Sequence, residues 1–194
     1  MTAIVDYRAG NLTSVQLAFA AIGEAATVTD DPEVIVAADR VVFPGVGAAK
    51  SAMESLKRAG LVDAVRSAAL SGRPFLGICL GMQILFDHSE EDGGVDTLGI
   101  FRGRVRRFPD AAGFKIPEIG WNQVRAGARG EEGREFYFVH SYYAEIVPET
   151  VGVSEYAGVE FTAMVKRGKL WACQFHPEKS GRVGLSLLKE WLAC

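Results

Sequence analysis

The first half of the chain alternates short apolar runs with segments of helical periodicity, and this alternation most limits the possible folds. The apolar runs are too short for helices and are rich in β-branched or aromatic residues, which is typical of buried strands. We predict strands at 2–5, 41–43 and 75–78, with helices at 12–22, 49–59, 61–69 and 80–86. Strands that alternate with helices pair in parallel and are covered by helices. The sequence therefore predicts an α/β protein with a mostly parallel central sheet flanked by helices.

The second half of the chain has a different pattern. Segments 99–107, 136–139, 159–165 and 170–175 alternate in polarity or carry aromatic residues, with turn signals between them. These features favour antiparallel strands. An amphipathic helix is predicted at 183–192. No repeat or linker divides the chain, and 194 residues is an ordinary size for one domain. We therefore predict a single domain, residues 1–194.

Composition excludes several classes of protein. The formal net charge is −3, whereas non-specific nucleic-acid binding requires a basic surface. One basic cluster, at positions 102, 104, 106 and 107, favours a solvated strand face, with an anionic partner surface as the alternative. No apolar run reaches the length of a membrane span, and the N-terminus lacks the features of a signal peptide. We expect a cytoplasmic protein that binds neither nucleic acid nor membrane.

A G-x-C-x-G motif, Gly77-Ile78-Cys79-Leu80-Gly81, lies between a predicted strand and a predicted helix. It is the thiol counterpart of the G-x-S-x-G turn, in which glycines permit a sharp bend that exposes the central side chain. The dipole of the following helix favours the thiolate, which is the nucleophilic form of cysteine. By itself the motif is equally compatible with a small buried thiol between two packing glycines.

His176-Pro177-Glu178 follows a predicted strand near the C-terminus and makes a catalytic interpretation of Cys79 more favourable. Residues two apart in an extended segment point the same way. His176 is therefore suited to act as a base while Glu178 orients its ring. The alternative is a surface histidine in a turn before proline.

The remaining histidines and cysteines have simpler interpretations. His88 is predicted to be solvated, and His140 is compatible with either a core or a pocket position. Cys173 is predicted to be a packing residue and Cys194 to be inert. Three cysteines without paired spacing predict reduced thiols, and the histidines are too few for a structural zinc site.

Attack on an amide carbonyl creates a negatively charged oxygen, which backbone N–H groups stabilise. The N–H of Leu80, directly after the predicted nucleophile, is one candidate donor. Pro44-Gly45-Val46-Gly47, after the strand at 41–43, supplies a second candidate. The alternative for this segment is an ordinary glycine turn between a strand and a helix.

Together these motifs resemble the class I (triad) glutamine amidotransferases and, more narrowly, the glutaminase subunits of imidazole glycerol phosphate synthases. The matching stretches run in family order: Gly10-Asn11-Leu12, Pro44-Gly45-Val46-Gly47, Gly77-Ile78-Cys79-Leu80-Gly81-Met82-Gln83, Gly120-Trp121-Asn122, Val139-His140-Ser141-Tyr142 and Gln174-Phe175-His176-Pro177-Glu178-Lys179-Ser180. The chain departs from this family pattern at Glu118, where related sequences often have histidine. It bears on the partner contact and not on the triad.

This resemblance implies roles for individual residues. Cys79 is implied to form a thioester with glutamine, His176 to be the general base and acid, and Glu178 to orient His176. The residues implied to give the oxyanion N–H groups are Val46 and Leu80. Those implied to hold glutamine are Gln83, Glu91, Ser141 and Tyr142, with Glu91 facing the substrate ammonium. Those implied to face a partner are Gly10, Asn11, Trp121, Tyr137 and Lys179.

The resemblance also implies a heterodimer with a cyclase subunit of (β/α)8-barrel fold, and neither cofactor nor metal. Glutamine would be hydrolysed here to glutamate and ammonia. The cyclase would use the ammonia to convert a phosphoribulosyl-formimino ribonucleotide into imidazole glycerol phosphate and aminoimidazole carboxamide ribotide, in histidine biosynthesis.

Three alternatives stand beside this function. One is the glutaminase subunit of another ammonia-channelling enzyme, such as pyridoxal phosphate synthase, which usually has a second glycine where Val46 stands. Another is a stand-alone γ-glutamyl or peptide hydrolase, which would leave the Gly10-Asn11-Leu12 loop unexplained. An inactive binding homologue is disfavoured by the intact triad.

Overall fold

The computed structural model describes residues 1–8, 12–126 and 133–194. Gly10 and Asn11, which the sequence assigns to a partner surface, lie outside the described residues. In the first half the strands are β1 (Thr2–Val5), β2 (Ala26–Thr29), β3 (Arg40–Gly45) and β4 (Phe75–Cys79). The helices there are α1 (Leu12–Ala21), α2 (Pro32–Ala37), α3 (Ala49–Arg58), α4 (Val62–Leu70) and α5 (Leu80–Gln83).

The second half is mostly strands. They are β5 (His88–Ser89), β6 (Val95–Asp96), β7 (Arg104–Arg107), β8 (Glu118–Ala126), β9 (Arg134–His140), β10 (Tyr142–Ala144), β11 (Thr150–Tyr156), β12 (Val159–Arg167) and β13 (Leu170–Cys173). Two 3-10 turns, Glu91–Gly93 and Pro177–Lys179, and the helix α6 (Gly181–Leu192) complete the elements.

The sheet is parallel on one side and mostly antiparallel on the other. Its order begins β2-β1-β3-β4-β13, and these five strands pair in parallel. From β13 the sheet continues through the antiparallel partner β12 to β10 and β7. A branch leads from β12 through β11 to β8, which pairs with β9. The predicted α/β architecture with antiparallel strands in the second half is confirmed.

Several predicted elements need correction. The last strand, β13, pairs in parallel with β4 as well as antiparallel with β12, because the chain returns to the centre of the sheet. The strand β3 continues through Pro44 to Gly45, which pairs with Cys79. In segment 99–107 only Arg104–Arg107 is a strand, and β2 and α2 had no predicted counterpart.

The helix after the G-x-C-x-G motif is also shorter than predicted. Ile84 N–H still bonds the carbonyl of Leu80, four residues back, but Leu85 and Phe86 bond carbonyls three residues back. The helix therefore tightens into a turn at this point.

Apolar side chains cover both faces of the sheet. On one face Phe43 and Phe75 lie under α3 and α4, and on the other Phe138, Phe161 and Phe175 are fully buried. Burying a side chain of this size contributes about 1.5–3 kcal/mol. The closing helix α6 packs Trp191 edge-on against Phe19 of α1, with ring centroids 5.8 Å apart.

The basic cluster is matched by acidic neighbours. Arg106 bonds Glu145 at 2.5 Å, and Arg107 bonds Asp110 at 3.1 Å, both at partly exposed sites. These contacts favour the solvated strand face over an anionic partner surface. Within the described ranges, none of the helices combines the length and apolar character needed to cross a membrane.

Candidate active site

Three chain segments meet at the carboxyl ends of neighbouring parallel strands. β3 ends at Gly45, β4 ends at Cys79, and β13 leads to His176 three residues later. The end of such strands is the usual place for a site in open α/β sheets. The first two are adjacent, because Gly45 pairs with Cys79.

Cys79 occupies a strained backbone position at the turn between β4 and α5. Its φ is 54° and its ψ is −112°, in a region that residues with a side chain rarely adopt. Such a conformation costs about 1–3 kcal/mol and persists only when the surroundings enforce it. A Cβ on Gly81 would lie 1.9 Å from the carbonyl oxygen of Phe43, so only glycine lets α5 approach β3. The predicted strand-to-helix bend is therefore present.

His176 and Glu178 form a buried pair beside this cysteine. The Nδ1 of His176 lies 2.7 Å from Oε1 of Glu178, and their side chains are 5% and 4% exposed. His176 and Cys79 line one cavity. Burial lowers the pKa of His176, but hydrogen bonds and charge from Cys79 and Glu178 outweigh it and raise the pKa to about 10. These interactions favour the protonated ring, which suits His176 to give a proton to a leaving group.

The two candidate oxyanion donors flank the cysteine. Leu80 directly follows Cys79, and Val46 follows the last residue of β3. The glycines around Val46 have different physical roles. A Cβ on Gly45 would lie 2.2 Å from the Tyr7 hydroxyl, whereas Gly47 has a φ of +92° and no neighbour within 4 Å of a Cβ. Close packing thus excludes a side chain at Gly45, whereas the positive φ at Gly47 is a conformation that glycine adopts readily.

A cavity of about 270 Å³ opens above these groups. Its lining residues are Val46, Gly47, Cys79, Leu80, Gln83, Glu91, Pro117, Val139, His140, Ser141, Tyr142, His176 and Lys179. It therefore brings together the predicted nucleophile, the base, both oxyanion residues and all four residues assigned to glutamine. Glu178 does not line this cavity and contacts His176 from behind.

Glu91 and Gln83 are already partly engaged. Burial raises the pKa of Glu91, and its Oε2 accepts a hydrogen bond from the N–H of Ala49, at the start of α3, at 2.7 Å. The Nε2 of Gln83 donates both to the carbonyl of Tyr142 at 2.8 Å and to Oε1 of Gln174 at 2.9 Å. Among the residues that the structure describes, none donates to the other carboxylate oxygen of Glu91 or to Oε1 of Gln83, so each residue has one oxygen available to a ligand.

His140 belongs to both the core and the cavity wall. Its Nε2 lies 2.9 Å from Oε2 of Glu118, and both side chains are almost fully buried. The other oxygen of Glu118 accepts a hydrogen bond from Nδ2 of Asn122 at 2.7 Å. Glu118 thus faces inward against His140. The position at which this chain departs from related sequences therefore lies behind the hairpin surface and not on it.

The remaining residues assigned to a partner lie on the β8–β9 hairpin and beside the cavity. Trp121 is 56% exposed and pairs across the strands with Tyr137, whose ring centroid is 6.2 Å away. Lys179 is exposed and lines the cavity. Tyr137 also touches the triad segment: its N–H donates to Ser180 Oγ, and its carbonyl accepts from the N–H of His176 at 2.9 Å.

The sequence argument gave no role to Gln174, Ser180 or the Glu118–His140 pair. The signal for Gln174 was its spacing, since it lies two residues before His176 and so points the same way. The pairing of Glu118 with His140 depends on the register of β8 against β9, which local sequence does not determine. His88, predicted to be solvated, bonds Asp96 at 2.8 Å on the surface. Within the described ranges no His, Cys, Asp or Glu cluster is arranged to hold a metal ion.

Known proteins resemble this chain over nearly its full length. The model of the family "Glutamine amidotransferase class-I" matches residues 3–193. The chain is 50% identical to the "Imidazole glycerol phosphate synthase subunit HisH" of Moorella thermoacetica, over 97% of this chain and 92% of that relative. It is 43% identical to the protein of the same name from Streptococcus sanguinis, over 98% and 95% of the two chains. A crystal structure titled as a glutamine amidotransferase shares the fold, with a TM-score of 0.76 at 19% identity over 98% of this chain and 97% of that chain. The chain belongs to the class I glutamine amidotransferase family.

Proposed function

We propose that this chain is the glutaminase subunit of an imidazole glycerol phosphate synthase, acting in histidine biosynthesis. It hydrolyses glutamine to glutamate and ammonia and passes the ammonia to a partner cyclase. The observation that carries the proposal is that His176, held by Glu178 at 2.7 Å, lines the same cavity as Cys79. The names of the relatives favour this subunit over that of another ammonia-channelling enzyme.

In the first half of the reaction, the thiolate of Cys79 attacks the side-chain carbonyl carbon of glutamine. The carbonyl electrons move onto oxygen, where the N–H groups of Leu80 and Val46 stabilise the charge. As the carbon–nitrogen bond breaks, protonated His176 gives its proton to the leaving nitrogen. Ammonia departs and a thioester remains on Cys79.

In the second half, neutral His176 accepts a proton from water, and the oxygen of that water attacks the thioester carbon. The carbon–sulfur bond breaks, which releases glutamate and restores the thiolate. Glu178 holds the Nδ1 side of the ring throughout, so Nε2 faces the sulfur. The free oxygen of Glu91 suits the substrate ammonium, and Gln83, Ser141 and Tyr142 line the rest of the cavity.

Labelling with a glutamine-mimicking alkylator, read by peptide mass spectrometry, tests the nucleophile. We expect modification at Cys79 and loss of glutamine hydrolysis in Cys79→Ala. Cys173 is the matched internal control, because it lies at the end of the adjacent strand but is fully buried, and burial raises its pKa. Modification at Cys173 in place of Cys79 would overturn the assignment.

We further infer that the partner is a (β/α)8-barrel cyclase that binds the hairpin face. The support is an exposed apolar pair on β8, Ile119 and Trp121, at 63% and 56% exposure. The relatives are also named as subunits of a synthase. Mixing the chain with a barrel cyclase and measuring complex formation by gel filtration tests this. A monomer that hydrolyses glutamine at full rate without the cyclase would favour the stand-alone hydrolase.

A further inference from the structure

Gln174 is a fully buried polar residue at the catalytic sulfur. Its Nε2 lies 3.7 Å from Cys79 Sγ, within hydrogen-bond distance for a sulfur acceptor. Gln174 is not one of the residues that line the cavity in the described part of the chain. A substrate that fills the cavity would therefore not displace this contact.

The orientation of the Gln174 amide is set by a chain of hydrogen bonds that ends on the backbone. The carbonyl of Tyr142 can only accept, so the amino group of Gln83 must face it, at 2.8 Å. The same amino group donates to Gln174 at 2.9 Å, so Gln174 must present its oxygen to Gln83. The amino group of Gln174 is then left to face Cys79. A flipped Gln174 amide would place two amino groups against each other and an oxygen against the sulfur.

Hydrogen bonds to a charged group are stronger than those between neutral groups. A donor fixed beside the sulfur therefore favours the thiolate over the thiol. The titratable groups that act electrostatically on Cys79 are His176, whose proton leaves during the proposed reaction, and the buried Tyr7 and Cys173. Gln174 cannot lose its N–H, so its contribution is constant through the cycle.

We propose that Gln174 is a positioning residue for Cys79, held in its donating orientation by Gln83 and stabilising the thiolate from behind the cavity. This inference rests on the proposed role of Cys79 as nucleophile. It also gives Gln83 a second role, because the residue that lines the cavity also fixes the orientation of Gln174 behind the nucleophile.

The test is the pH dependence of Cys79 alkylation by iodoacetamide, measured by peptide mass spectrometry on the free chain. The exposed Cys194 of the same chain is alkylated in the same sample and serves as the internal reference for the reaction. Gln174→Met keeps the side-chain length and removes the donor. We expect the pH of half-maximal Cys79 alkylation to rise by about one unit or more, because one charged hydrogen bond is lost. Gln83→Met should give a smaller rise, since Gln174 loses its fixed orientation but keeps its amino group.

Cys173→Ser is the matched control for disturbed packing, since Cys173 is the fully buried residue directly before Gln174 and bonds the carbonyls of Gly77 and Phe175. Cys173→Ser should leave the pH dependence of Cys79 alkylation unchanged. Circular dichroism confirms folding of each variant, and Gln174→Leu, which is neutral and also lacks a donor, replaces Gln174→Met if the latter does not fold. A folded Gln174 variant with the wild-type profile would overturn the proposal. Failure of the wild-type complex to hydrolyse glutamine would instead overturn the proposed function, so the two failures are distinguishable.

Discussion

The parallel strands and the β8–β9 hairpin differ in how they use their side chains. Every residue of β1, β4 and β13 is buried, on both faces of the sheet. In β8 buried or half-buried residues alternate with exposed ones, and Trp121 and Ile119 lie on the exposed face. A strand buried on both faces holds the residues at its end rigidly, which suits Cys79 and His176. A strand with one open face offers a surface, which suits a partner.

The two regions are nevertheless joined at one place. Tyr137 of β9 exchanges backbone hydrogen bonds with the segment that carries His176 and Ser180. A partner that shifts the hairpin would therefore act on the triad through the main chain. The difference between the regions predicts that substitutions at the ends of the parallel strands abolish glutamine hydrolysis. Substitutions in the β8–β9 hairpin should instead alter partner binding and the stimulation of hydrolysis by the partner.

The largest expected effect belongs to the rigid region. His176→Ala should lower glutamine-dependent turnover of the complex by about 10²–10⁴-fold, the usual loss for a general acid–base. Glu178→Gln should be milder, because an amide oxygen still accepts from Nδ1. Turnover driven by added ammonia is the control and should survive both changes. Collapse of the ammonia-driven rate would show that the complex itself had been damaged.

The second effect concerns the buried pair inside the hairpin. Glu118→Leu removes the partner of His140 and one acceptor of Asn122, and leaving a buried polar group without its partner costs about 1–3 kcal/mol of unfolding free energy. Urea denaturation measures it. Glu160→Gln is the matched control, because the Glu160–Arg125 pair joins the same strand β8 to β12 but is solvent-exposed, and exposed pairs contribute about 0–1 kcal/mol. Equal losses in the two variants would contradict the inward role of Glu118.

The third effect belongs to the hairpin surface. Trp121→Ala should weaken binding of a barrel cyclase by about 2 kcal/mol or more, since exposed aromatic residues often dominate interfaces. The chain alone should keep its stability. Leu70→Ala is the control, because Leu70 is 58% exposed at the end of α4, in the parallel half. Isothermal titration calorimetry gives both affinities, and an equal loss at Leu70 would contradict the assignment of the hairpin as the partner face.

The sequence predicted the rigid region better than the hairpin. Buried runs such as Phe75–Cys79 and the glycines around Cys79 are local signals, so the elbow and the strands before it could be located. The return of β13 to the centre of the sheet could not be predicted from the sequence. Its parallel pairing with β4 is a long-range contact that the alternation of residues 170–175 does not encode. The contacts of Gln174 with Cys79 and of Glu118 with His140 join residues far apart in sequence, and they follow only from strand order and register.

The last prediction, on coupling, tests whether the two regions communicate. The peptide at Val46 lies between Gly45, which is closely packed against Tyr7, and Gly47, whose φ of +92° glycine adopts readily. We predict that the isolated chain is slow with glutamine and that the loaded cyclase orients this peptide, because a missing oxyanion donor costs about 10²–10³ in rate. The ligand of the cyclase must then bind the active arrangement more tightly.

Glutaminase rates of the chain alone, of the complex, and of the complex with a cyclase substrate analogue measure this stimulation, and equal rates in all three would contradict it.

Two routes from the partner to the active site are distinguished by the residues that they use. Ser180 accepts from Tyr137 N–H at 3.0 Å and donates to the carbonyl of His176 at 2.7 Å, so it lies between the hairpin and the triad. Ser180→Ala removes both hydrogen bonds, and since a typical hydrogen bond contributes about 0.5–1.5 kcal/mol, we expect the stimulation factor to fall about 2–10-fold. Ser186→Ala, on an exposed turn of α6, should leave the factor unchanged. If Lys179→Ala lowers the factor and Ser180→Ala does not, coupling runs along the cavity rim and not through the main chain of Tyr137.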